Sequence, residues 1–100
     1  MRVQGGAGDR STHVENRLGE PAANPYLYMA ANIAAGLDGL NRKVLPPPPV
    51  MSDPYAHEAE RLPASLEEAI AALDGDSLFR RAFGHVFGGY FLVVKRGAWA

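Results

Sequence analysis

The chain contains no cysteine. That excludes a disulfide framework, a thiolate metal site and a thiol nucleophile, and it leads us to expect a cytoplasmic protein. An excess of either charge is also lacking. Ten Lys and Arg against eleven Asp and Glu give a formal net charge of −1, so bulk electrostatics suggest neither a nucleic acid nor a membrane surface as partner. Long hydrophobic runs are missing too. The longest, Val86 to Val94, reaches about half of the ~20 residues that a spanning helix needs and reads as a core segment. The N-terminal MRVQGGAGDR lacks the apolar centre of a signal peptide, so export is not expected.

What is present has a globular balance: 47% apolar and 21% charged residues. At 100 residues the chain holds at most one small domain, too little for a large enzyme. It shows no internal repeat.

A short strand is expected from Met1 to Gln4, then a glycine-rich turn, GGAGD, and a second strand from Ser11 to Arg17. Period two sends Thr12, Val14 and Asn16 to one side and Ser11, His13, Glu15 and Arg17 to the other, an entirely polar face. The turn LGEPAA leads to Asn24 as N-cap and Pro25 as first helical residue, where proline leaves no amide unpaired. In the helix that follows, Leu27, Ala30, Ala31, Ala34 and Leu37 recur at helical spacing, with fraying expected near GLDGLNRK. Pro46 to Pro49 form a stiff, extended connector.

Ser65 to Glu68 read as a capping box for a second helix, which ends at Asp74 and Gly75. Ser77 is the expected cap of a third, with Leu78, Phe79, Ala82 and Phe83 inward and Arg80 and Arg81 outward. Phe79, Phe83, Phe87 and Tyr90 read as core, and Tyr90, Phe91, Val93 and Val94 suggest a final helix. The fold class is α+β: two antiparallel strands followed by three or four helices. Two strands alone are marginal, so they are expected to need partners outside this chain.

The segment ENRLGEPAANPYLYMAANIAAGLDGL, Glu15 to Leu40, resembles the C-terminal part of the catalytic domain of the glutamine synthetase family. The features that carry the resemblance are Glu-x-Arg, then Ala-Ala-Asn-Pro-Tyr-Leu, then an alanine-rich helix ending in Ala-Gly-Leu-Asp-Gly. Downstream, LPASLEEAIAALDGDSLFRRAFG resembles the family's usual tail. The resemblance implies a C-terminal fragment of a catalytic barrel, with the N-terminal β-grasp domain and the earlier barrel strands absent.

It also implies an ATP-dependent carbon–nitrogen ligase. The side-chain carboxylate of glutamate is phosphorylated, and ammonia displaces phosphate from the γ-glutamyl phosphate. Two divalent cations, Mg2+ or Mn2+, serve the site, and active sites lie between subunits of a homo-oligomeric ring. Two alternatives stay open: a γ-glutamyl-amine ligase with an organic amine as acceptor, and a non-catalytic remnant that docks on a full-length relative.

By the same resemblance Glu15 is a metal ligand, and Arg17 contacts the glutamate substrate near the transferred phosphoryl group. Arg10 faces the nucleotide, and Arg2 is a further nucleotide-phosphate contact. The chemistry suits these residue types, because a hard cation takes carboxylate oxygens and a guanidinium fork holds a carboxylate or phosphate through two contacts. From spacing alone, Glu15 reads as part of a solvated sheet face and Arg17 as a strand-end charge paired with Glu15 or Glu20, worth ~0 to 1 kcal/mol. His13 stays outside the metal set, and His57 reads as a surface residue of the connector. One carboxylate cannot hold a hydrated dication tightly, so catalysis by this chain alone is not expected.

Overall fold

The computed structural model describes residues 1–99, the side chain of Trp99 excepted. The elements run β1 (Arg2–Gln4), β2 (His13–Glu15), α1 (Pro25–Asn41), a 3-10 turn (Pro54–Ala56), α2 (Leu66–Asp74), α3 (Ser77–Phe83) and α4 (His85–Trp99). The architecture is α+β as expected, with four α-helices. Both strands are shorter than the alternating pattern suggests. The sheet has two antiparallel strands, with Arg2 opposite Glu15, Val3 opposite Val14 and Gln4 opposite His13. The chain divides into two compact units, residues 1–32 and 33–100.

In the first unit, local hydrogen bonds shape the connection between the strands. Gly6 N donates to Thr12 Oγ1 (3.1 Å), and Thr12 Oγ1 lies 2.7 Å from Asp9 O, to which it donates. Asp9 Oδ1 accepts from both the amide and the hydroxyl of Ser11 at 2.8 and 2.7 Å. Those bonds hold the Asp9 carboxyl below its usual range, since they favour the charged form. Gly5 is required at the exit of β1: its φ is 90°, and a Cβ there would lie 2.6 Å from Thr12 Oγ1.

α1 starts as its sequence predicts. Asn24 Oδ1 accepts from Tyr26 N and Leu27 N at 3.0 and 3.2 Å, and Pro25 opens the helix. Leu27, Ala30, Ala31 and Ala34 are half-buried as expected, but Leu37 is exposed. The fraying expected over GLDGLNRK does not occur. The helix continues to Asn41, supported by an Asp38–Arg42 ion pair of 2.8 Å four residues apart. It closes with Lys43 at φ 53°, Lys43 N donating to Leu40 O and Val44 N to Gly39 O. That is a Schellman closure with lysine where glycine is usual.

The second unit holds the core. Ile70 of α2 and Leu92 of α4 are 7% and 6% exposed and are the buried apolar side chains among the described residues. The cap forms with one change of partner: Ser65 Oγ accepts from Glu68 N (3.1 Å), while Glu68 reaches back to accept from Ala64 N (2.8 Å), one residue before the N-cap. The α3 cap is Asp76, not Ser77. Its carboxylate accepts from Leu78 N and Phe79 N, and Ser77 is the first helical residue.

Arg80 lies outward as expected, its side chain 41% exposed. Its guanidinium donates to Asp74 O (2.7 Å) and Oδ1 (2.9 Å), and Arg96 of α4 donates to Asp74 Oδ2 (2.7 Å). One carboxylate at the end of α2 thereby ties in α3 and α4. Phe79, Phe83, Phe87 and Phe91 follow one another with ring centroids 5.9–6.2 Å apart, the outer two pairs stacked and Phe83–Phe87 tilted by 54°. Phe87 and Tyr90, expected in the core, are 38% and 70% exposed, because the buried stripe of α4 runs through Leu92, and Ala82, expected inward, is exposed too. No described helix is long and apolar enough to cross a membrane.

Candidate active-site edge

The register of the hairpin decides which side chains share a face. Residues opposite one another in an antiparallel pair project to the same side, so Arg2, Gln4, His13 and Glu15 lie together. Val3 and Val14 occupy the other face. Arg2, placed only by its position before Val3, thus stands directly across from Glu15.

Glu15 is half-buried and oriented from two sides. Gln4 Nε2 donates to its Oε2 at 3.2 Å, and Arg17 Nε lies 3.8 Å from its Oε1. The second distance is an ion pair without a hydrogen bond, so it leaves the guanidinium fork available. With the Arg17 side chain 62% exposed, the pair contributes at most ~1 kcal/mol to stability. Glu15 and Arg17 therefore offer an acceptor for a cation beside a donor fork for an anion, close enough to act on one substrate.

Arg10 sits at the tip of the loop that Asp9 ties to Ser11. Among the described residues no hydrogen bond or ion pair links Arg10 or Arg2 to Glu15 or Arg17. The structure thus joins Glu15 and Arg17 by contact, brings Arg2 to the same face by register, and leaves Arg10 on the adjoining loop. His13 turns toward its own backbone, with Nδ1 2.6 Å from Ser11 O. A carbonyl only accepts, so Nδ1 carries the proton.

The sequence reading missed Gln4 as a partner of Glu15, although the period-two register, once the strands are paired, places it there. It also missed Asn16. Asn16 Oδ1 accepts from Leu18 N (3.1 Å), and its Nδ2 donates to Asn32 Oδ1 (2.8 Å) on α1.

These residues do not make a complete metal site. No group of three or more His, Asp or Glu side chains among the described residues can hold an ion. Magnesium needs near-octahedral oxygen coordination, and the Glu15 carboxylate alone falls far short of it. A carboxylate is of the right hard type for such a cation, and among the described residues no group of ligands completes a set around it.

The family model described as glutamine synthetase, catalytic domain, matches residues 1–100. A γ-glutamylanilide synthase from Acinetobacter sp is 46% identical over 101 residues, covering 100% of this chain and 20% of the relative. Lengsin from Homo sapiens is 44% identical over 89% of this chain and 18% of its own length. A glutamine synthetase from Thermus thermophilus is 40% identical over 88% of this chain and 22% of its own length. The chain thus spans about a fifth of the relatives it matches. No solved structure matches it. With its whole length matched by the family model, the chain belongs to the glutamine synthetase family.

Proposed function

We propose that this chain supplies one edge of the active site of an ATP-dependent carbon–nitrogen ligase, as the C-terminal part of a catalytic barrel whose other strands lie outside it. The observation that carries the reading is the Glu15–Arg17 pair at the end of β2, in a chain whose whole length matches the family's catalytic domain. Arg17 would hold the glutamate substrate and the transferred phosphoryl group through its free fork. Phosphoryl transfer depends on positive charge placed around the migrating group, which an arginine supplies without reorganisation. Glu15, oriented by Gln4, would give one carboxylate to a divalent cation, Mg2+ or Mn2+, which supplies charge neutralisation when bound. Arg2 and Arg10 would face the nucleotide phosphates, in a homo-oligomeric cytoplasmic enzyme.

The test is glutamate- and amine-dependent release of phosphate from ATP. It is measured on this chain alone and on this chain continuous with the upstream strands of a family catalytic domain. Turnover is expected only in the second form. Turnover by the 100 residues alone, or none in the continuous form, overturns the reading; the latter outcome favours a non-catalytic docking protein.

A second reading concerns the acceptor. The match to a γ-glutamylanilide synthase along the entire chain favours an organic amine, an aromatic one included, over ammonia. Competition between ammonia and aniline as acceptors separates the two.

A further inference from the structure

Arg17 lies on a short segment between the end of β2 and the first turns of α1. Nothing in the strand pairing fixes that segment, because the ladder ends at Glu15. Two contacts on either side of Arg17 hold it instead, and both land on α1. The first is the Asn16 to Asn32 side-chain bond of 2.8 Å. The second is the close approach of Gly19 to Tyr28: a Cβ at Gly19 would lie 3.1 Å from the Tyr28 ring and hydroxyl. Asn32 and Tyr28 are themselves joined, since Asn32 Nδ2 donates to Tyr28 O at 2.8 Å.

The orientation of both amides follows from their partners. Tyr28 O and Leu18 N are an obligate acceptor and an obligate donor. Asn32 therefore turns its Nδ2 to the helix and Asn16 its Oδ1 to Leu18, and the two remaining groups meet as donor and acceptor. Turning either amide over would set two like groups against each other in two places.

We infer that Asn16 and Asn32 form an amide clamp that positions Arg17 against the glutamate substrate, making both of them positioning residues of the ligase. The inference rests on the role proposed above for Arg17. The clamp touches neither substrate nor metal. It sets where the Arg17 backbone leaves the strand, and a fork that must make two contacts at once is sensitive to displacements of about 1 Å.

The experiment compares Asn32→Ala, Asn16→Ala, the double variant and Arg17→Lys in the complete ligase that contains this chain. Alanine is a better helix former than asparagine, so Asn32→Ala leaves α1 intact. Asn32→Ala is expected to raise the KM for glutamate roughly fivefold, about the factor one ordinary hydrogen bond contributes. The KM for ATP and the thermal midpoint should stay unchanged, and the NMR signals of the Asn16 side-chain amide should shift as it loses its acceptor.

Adding Asn32→Ala to Asn16→Ala should change nothing more, since the bond is already broken. An unchanged glutamate KM in Asn32→Ala overturns the clamp, as does a parallel loss of glutamate response, ATP response and thermal midpoint. Arg17→Lys separates the two levels. If it disturbs the glutamate response while Asn32→Ala does not, the clamp fails and the Arg17 assignment stands. If Arg17→Lys changes nothing, the assignment itself is wrong, and the clamp has no function to serve.

Discussion

Residues 1–32 carry every candidate site residue and no buried side chain, whereas residues 33–100 carry both buried apolar side chains and no candidate site residue. The two units are held by different forces. In the first, the chain's course is set by directional bonds: Asp9 to Ser11, Thr12 across the hairpin loop, Asn24 at the helix start and Asn16 to Asn32. Such bonds fix geometry but contribute only ~1 kcal/mol each, because water competes for every partner. In the second unit, Ile70 and Leu92 leave water between packed helices, which stabilises without fixing any functional direction. A site edge drawn with bonds alone needs its apolar side covered by something else. Val3 and Val14, on the face opposite Glu15, are 71% and 62% exposed.

The sharpest way to break this contrast is to damage the core. Leu92→Ala should cost the helical unit about 3 kcal/mol, within the ordinary range for a buried leucine, measured by chemical denaturation followed through helical circular dichroism. The NMR signals of the Asp9–Thr12 loop should not move. A loss under about 1 kcal/mol would mean that Leu92 is not a core residue in solution.

The converse change is Glu15→Ala. On the role proposed above for Glu15, its loss should cut turnover of the complete ligase by about 100-fold or more, since even the outer partners of metal ligands are worth 10- to 100-fold. It should also raise the magnesium requirement and leave the helical signal unaltered. A wild-type magnesium titration would return Glu15 to the role of a solvated sheet residue. Arg17→Lys comes next, with an expected rise of at least about 10-fold in the glutamate KM, because an ammonium cannot reproduce a two-contact fork.

Much of the molecule was legible in the sequence where the determining residues are neighbours. Asn24-Pro25 and Ser65-x-x-Glu68 announced their helices because a cap acts within one turn. The shared face of His13 and Glu15 followed from period two alone. What stayed hidden depends on contacts at long separation or on choices between local equals. The Asn16–Asn32 bond joins residues 16 apart, and Arg96 reaches Asp74 across 22; no periodicity encodes either. Asp76 and Ser77 are both good caps, and only the path of the chain between α2 and α3 chose the aspartate. At Lys43 the helix closure overrode the preference for glycine, and the two strands end early because three ladder pairs are all that β1 offers.

The smallest expected effect is also the one that sets the two units side by side, since each contains one carboxylate held below its usual range. For Asp74 the main cause is the hydrogen bond from Arg96, with attraction to Arg96 and Arg80 adding to it and desolvation opposing. For Asp9 it is the hydroxyl of Ser11, then the Ser11 amide. In both cases the folded pKa is depressed. The stabilisation is therefore present above the ordinary carboxylate pKa and lost as pH falls through the lower, folded value.

Salt tells the two apart. Asp74 is paired with charges on exposed side chains, so salt screens its attraction, while the partners of Asp9 are neutral donors that salt leaves alone. Between neutral pH and the acid limb, the thermal midpoint of the helical unit should fall by a few degrees at most, and by less at high salt. Loss of the Ser11 amide protection in the hairpin loop should be the same at low and high salt. Asp74→Asn should flatten the first response and leave the second untouched. Salt-independent acid softening of the helices would show that the Arg96–Asp74–Arg80 network is not what joins the ends of α2, α3 and α4.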